Sequence, residues 1–71
     1  MIHEIPPAAR TLGADLRALR KSRGMTLAGV ANRLGKSVGW MSQVERDISQ
    51  PSIDDLRAIA RLLDVSVSSL F

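Results

Sequence analysis

Apolar positions recur at helical spacing through most of this chain and break off at a few glycines, prolines and capping residues. From Thr11 onward, Leu12, Leu16 and Leu19 repeat at intervals of four and three, with Asp15, Arg17, Arg20 and Lys21 on other faces. Thr11 is placed to cap this first helix. Gly24 is placed to end it, after Lys21 and Arg23, whose charges suit the negative end of the helix dipole. Thr26 offers the next N-cap; Leu27, Val30, Ala31 and Leu34 give the second helix an apolar stripe, and Gly35 follows as its left-handed terminator. Ser37 caps a third helix whose inward positions are Met41, Val44 and Ile48, and residues 47–51 form a loop. Ser52 caps a fourth helix, with Asp55 three residues on as in a capping box. Ile53, Leu56, Ile59, Ala60 and Leu63 form its buried stripe. Asp64 stands where a glycine terminator is commoner, and Ser66 opens a last short turn from Val67 to Phe71. There is no sustained alternation and no hairpin dipeptide to signal a strand. The pattern predicts an all-α domain of five short helices over residues 10–71, preceded by an arm at residues 1–9 that carries Pro6-Pro7.

Within that pattern, Leu27 to Arg46 has a spacing of its own. Ala31, Gly35, Met41 and Val44 follow Leu27 by four, eight, fourteen and seventeen residues. Two helices crossing at about 90–120° approach closely at one point, where a small side chain avoids a clash. Ala31 fits that contact, and Gly35 turns the chain at no Cβ cost. Met41 and Val44 then tie the following helix to the first and fourth. Any helical hairpin can use alanine and glycine in this way. The full spacing with flanking helices points more narrowly, to a helix-turn-helix at about 26–46 that presents its second helix to the major groove of DNA.

Composition and charge sharpen this picture. A chain of 71 residues makes one domain, and at this size only about 60% of the unfolded surface is buried. Hydrophobic residues make up 45% and aromatics 3%, so aliphatic side chains and alanine must build the core. There is no cysteine, which excludes disulfides and a thiolate zinc site, and the single histidine, His3, lies in the arm without metal-ligating partners. No metal and no cofactor is expected. No apolar run approaches the roughly 20 residues of a membrane span, and the first ten residues lack the pattern of a signal peptide. A cytoplasmic, nucleoid-associated location is expected. The formal net charge of +3 is unevenly spread. Residues 1–46 hold eight basic side chains against three acidic, and residues 47–71 hold two against four. The basic half is the half with the two-helix spacing, as a polyanion partner requires, although a solvated surface can show the same balance.

On a wheel of about 100° per residue, the third helix (about 37–47) turns Val38, Gly39, Ser42, Gln43 and Arg46 outward as one strip. This strip is the candidate base-reading surface. Gln43 can pair with adenine through two hydrogen bonds, Arg46 can bind guanine or a phosphate, Ser42 suits several partners, and Val38 suits a thymine methyl. Gly39 costs helix propensity, up to about 1 kcal/mol against alanine, and either admits close approach to DNA or is neutral. Trp40 sits on a flank, where its indole N–H can meet a phosphate or its ring can pack against a neighbouring helix. Glu45 falls on the inward flank, where an unpaired carboxylate is costly, and Arg20 is its expected partner.

With these residues the chain resembles the phage repressor/Cro-like helix-turn-helix family, over about 60 residues from Thr11 to Phe71. The phrases SQVER, QPSI and LDVSVSSLF are most similar to bacterial regulators in which such a domain precedes a cupin sensor domain. The resemblance implies a compact five-helix fold that binds operator DNA as a homodimer, with base contacts from Val38, Gly39, Ser42, Gln43 and Arg46. It implies a phosphate contact at Thr26 and a buried ion pair between Arg20 and Glu45. Three residues depart from the family pattern. Leu27 replaces a common glutamine and removes a phosphate-anchoring hydrogen bond. Lys36 replaces an apolar turn residue and offers a phosphate contact instead. Asp47 replaces a common glycine and brings negative charge near the expected DNA edge. The cupin likeness implies an effector-binding domain C-terminal to this one, and Leu70 with Phe71 offers an apolar pair for a dimer contact.

These readings favour sequence-specific binding of double-stranded DNA by a bacterial transcriptional regulator. The rival is a protein-interaction module on the same fold, as in an antitoxin or a transcription bridging factor, favoured by the departures at Leu27 and Asp47. An enzyme is not expected, because no nucleophile–base pair and no Gly-rich phosphate loop can be assembled.

Overall fold

A computed structural model describes residues 11–70. The N-terminal arm expected at residues 1–9, His3 and Phe71 lie outside the described residues. Four α-helices follow one another: α1 (Leu12–Ser22), α2 (Leu27–Leu34), α3 (Val38–Glu45) and α4 (Ile53–Leu62). Among the described residues, the expected fifth helix is a single 3-10 turn, Val67–Leu70. No strand occurs among the described residues.

Local chemistry explains where each helix starts. Thr11, Thr26, Ser37 and Ser52 have extended backbones, and their hydroxyl oxygens accept from the N–H three residues on, at Ala14, Gly29, Trp40 and Asp55. Each cap satisfies one N–H that the helix cannot. At α4 the Asp55 carboxylate also accepts from the Ser52 N–H, which completes the capping box.

The helices end alike. In each, a residue with positive φ turns the chain: Gly24 (68°), Gly35 (69°), Asp47 (60°) and Asp64 (58°). Around each, the same pair of backbone bonds closes the last turn; after α3 they run from Asp47 to Val44 and from Ile48 to Gln43. Glycine takes this conformation freely, whereas aspartate does so at some cost.

The core has two parts. Leu16, Val44, Leu56, Ile59, Ala60, Leu63 and Leu70 form the larger; Val30, Ala31 and Met41 form the smaller. Met25, Leu34 and Trp40 are partly buried and touch both. Ala31 is fully buried beside Met41, as the close crossing of α2 and α3 requires. Met41 packs with α2 and with Leu62 of α4, and Val44 packs with Leu16 of α1, so the pair ties α3 to the first and fourth helices as expected.

Three expectations about burial are corrected. Ile48 was expected inward on α3 but is 62% exposed, because the helix ends at Glu45 and Asp47 redirects the chain. Ile53, expected in the α4 stripe, is 53% exposed at the first position of the helix, one turn short of the core. Leu70, expected as an exposed dimer contact, is buried in the larger cluster.

Candidate nucleic-acid interface

Helix α3 buries one side and exposes the other. Met41, Val44 and Glu45 are buried, at the i, i+3, i+4 spacing of one helical face. Val38, Gly39, Gln43 and Arg46 are exposed and Ser42 is half-buried, so the strip read from the sequence is assembled as one surface. Arg46 is the C-terminal cap of α3 rather than a helical residue, and its Nε–H donates to the Ser42 carbonyl at 3.4 Å. The exposed Val38, Ile48 and Ile53 open α3, follow it and open α4 respectively. A Cβ added at Gly39 would meet nothing closer than Ser37 Oγ at 4.0 Å, so nothing within the chain demands glycine there.

The buried Glu45 carboxylate is fully matched. Arg20 Nε donates to its Oε2 at 2.7 Å and Arg20 Nη2 to its Oε1 at 3.0 Å, while Arg20 Nη1 donates to the Met25 carbonyl at 2.9 Å. Both residues are more than nine-tenths buried. Hydrogen bonding to the Glu45 carboxylate raises the Arg20 pKa above its ordinary value, against the opposing effect of burial. This pair joins α1, the α1–α2 turn and α3, and so sets the rotation of the exposed strip.

Asp47 has a partner that its sequence position did not suggest. Its Oδ1 accepts from the Gly13 N–H at 2.9 Å, which makes it a second cap for α1. The close approach depends on Gly13. A Cβ there would lie 2.5 Å from the carbonyl oxygens of Val44 and Glu45. The negative charge expected at the DNA edge is therefore committed to the positive end of a helix.

Thr26 Oγ1 accepts from the Gly29 N–H at 2.9 Å and keeps its own proton to donate outward. Lys36, expected to meet a phosphate, points its ammonium at Asp55 Oδ1, 3.5 Å away, and over the Trp40 ring, 5.0 Å from the centroid. Trp40 is half-buried between the two core clusters, so its ring packs inward as one of the two readings held. Gln43 carries a bond that sequence reasoning missed: Ser49 Oγ donates to its Oε1 at 2.9 Å. No group of metal-ligating side chains occurs among the described residues, and no described helix is long and apolar enough to cross a membrane.

The family described as the helix-turn-helix domain matches residues 11–70. The immunity repressor protein of Bacillus phage phi105 is 33% identical over 60 residues, which cover 84% of this chain and 42% of the repressor. The transcriptional regulator SinR of Bacillus subtilis is 33% identical over 60 residues, covering 83% of this chain and 54% of SinR. This chain thus spans about half the length of the curated relatives it matches. The structure of SinR in complex with DNA aligns with a TM-score of 0.78 at 33% identity, over 84% of this chain and 97% of that one. The P22 c2 repressor bound to a synthetic operator aligns with a TM-score of 0.81 at 29% identity, over 87% and 94%. With the family matched over every described residue, and with two capped helices crossing at Ala31, the chain belongs to the helix-turn-helix domain family.

Proposed function

We propose that this domain binds double-stranded DNA sequence-specifically in a bacterial transcriptional regulator, with α3 laid in the major groove. The carrying observation is the two-sided character of α3. One face is locked by Met41, Val44 and the Arg20–Glu45 pair, and the other presents Val38, Gly39, Ser42, Gln43 and Arg46. A rigidly held helix with polar side chains on its free face is what base reading needs. SinR and the P22 c2 repressor, both solved with DNA, share this arrangement of the chain. Thr26 donates to a phosphate beside the groove, and Arg46 reaches a base or a phosphate. Two copies bind a two-fold site with half-site centres about one helical turn apart. Since these relatives are regulators, the domain is read as a binder and not as an enzyme.

The test is selection of bound duplexes from a random library, followed by anisotropy titration at several salt concentrations. The expected result is a symmetric enriched site and a steep salt slope. Gln43→Ala and Arg46→Ala should each cost about 1–3 kcal/mol on that site if they read bases. Enrichment of no duplex would overturn the proposal.

A further inference from the structure

We propose that Ser49 is a specificity-determining residue, which orients the Gln43 amide so that it reads guanine rather than adenine. This rests on the DNA reading above and sharpens it at one base pair. To pair with adenine, a glutamine amide donates from Nε2 to N7 and accepts at Oε1 from the N6 amino group. Both atoms must face the base together. Here the Ser49 hydroxyl donates to Oε1 at 2.9 Å and directs the oxygen toward the loop. Nε2 then stays exposed, with no acceptor for its two N–H groups among the described residues.

Ser49 is held in place by its backbone. The N–H groups of Ile48 and Ser49 both donate to the Gln43 carbonyl, at 2.8 and 3.2 Å, because Asp47 has turned the chain back over the end of α3. The serine side chain is thereby brought to the one glutamine of the exposed strip. With Oε1 turned to the loop, the amide leads with its two donors, which match an edge that offers acceptors alone. In the major groove that edge is guanine, with O6 and N7 side by side. Oε1 keeps a second lone pair, but to meet the adenine N6 donor it would have to turn from the loop to the base edge.

The experiment is duplex selection with the wild-type chain and with Gln43→Ala, Ser49→Ala and Ser49→Thr. Loss of preference in Gln43→Ala marks the base pair that Gln43 reads. At that pair the wild type should select guanine, Ser49→Ala should move to adenine, and Ser49→Thr, which keeps the hydroxyl, should retain guanine. The discrimination should change by about tenfold or more, the scale of one two-bond base contact. Adenine in the wild type, or a preference unmoved by Ser49→Ala, overturns the role of Ser49 while leaving DNA binding intact. A wild-type chain that enriches no duplex overturns the DNA reading and this inference with it.

Discussion

The Gly13 N–H donates to Asp47 Oδ1 at 2.9 Å, fastening the first turn of α1 to the chain just beyond α3 across a separation of 34 residues. The contact needs both residues as they are. Gly13→Ala should be destabilising by about 3 kcal/mol, the upper range of overpacking, because its Cβ would strike two backbone carbonyls that cannot rotate away. Thermal melting should show this as a fall in Tm of more than 10 °C, taking about 4–8 °C per kcal/mol for a domain of this size. The two left-handed aspartates should then differ. Asp64→Gly should stabilise by about 0.5–1 kcal/mol, whereas Asp47→Gly, which also loses the α1 cap, should gain nothing. Equal gains in both would mean that the bond to Gly13 contributes nothing.

The Arg20–Glu45 pair is buried, doubly hydrogen-bonded and shared among three elements. Glu45→Ala leaves a buried guanidinium without its counter-charge and should cost about 3–5 kcal/mol in denaturant unfolding. An Arg20→Met, Glu45→Leu double variant should recover most of that loss, because burial no longer strands a charge. Operator affinity should recover less than stability, since the apolar pair does not hold the Met25 carbonyl or the exact rotation of α3.

Gly39 is exposed on α3 with open space around it. Gly39→Ala should raise stability by about 0.5–1 kcal/mol through helix propensity. Operator affinity should fall in the same variant if the bare backbone at this point is pressed against DNA. Paired melting and anisotropy measurements on one preparation separate these effects. A gain in both would make Gly39 neutral for recognition.

Asp55 links stability to pH. Burial raises its pKa, but the bonds from Ser52 and the nearby Lys36 ammonium together lower it further, leaving it below the ordinary carboxylate value. A carboxyl with a depressed folded-state pKa stabilises the fold above its unfolded pKa, and this contribution is lost as pH falls through the folded value. The wild-type Tm should therefore drop on acidification below the usual carboxylate range. Asp55→Asn should begin lower at neutral pH and show a shallower acid limb. Parallel acid limbs would remove Asp55 as a contributor.

The features legible from sequence were those made by near neighbours. Thr11, Thr26, Ser37 and Ser52 cap helices through contacts three residues away, so residue type and spacing suffice to locate them. The small residues Ala31 and Gly35 were legible because a tight helix crossing leaves little choice. Among contacts between distant parts, the Arg20–Glu45 pair was legible, from the inward place of Glu45 and the family resemblance, and the others were not. Neither the demand on Gly13 nor the pairing of Lys36 with Asp55 leaves a periodic trace, since each depends on how complete helices settle together. Ile48 was misplaced for a related reason: helical periodicity was extended past Asp47, where the backbone had already turned. The exposed strip lay between these cases. Its membership follows from the wheel, while the orientation of Gln43 depends on a loop residue outside it.

Among the described residues, α3 is the helix that sends fully buried side chains into both parts of the core, Val44 into one and Met41 into the other. Its outward residues contribute to neither. Changes at Val38, Ser42 or Gln43 can therefore accumulate without loosening the fold that carries them. A lineage of such domains can drift to new operators through folded intermediates, because the positions proposed to choose a binding site are not the positions that keep the chain folded.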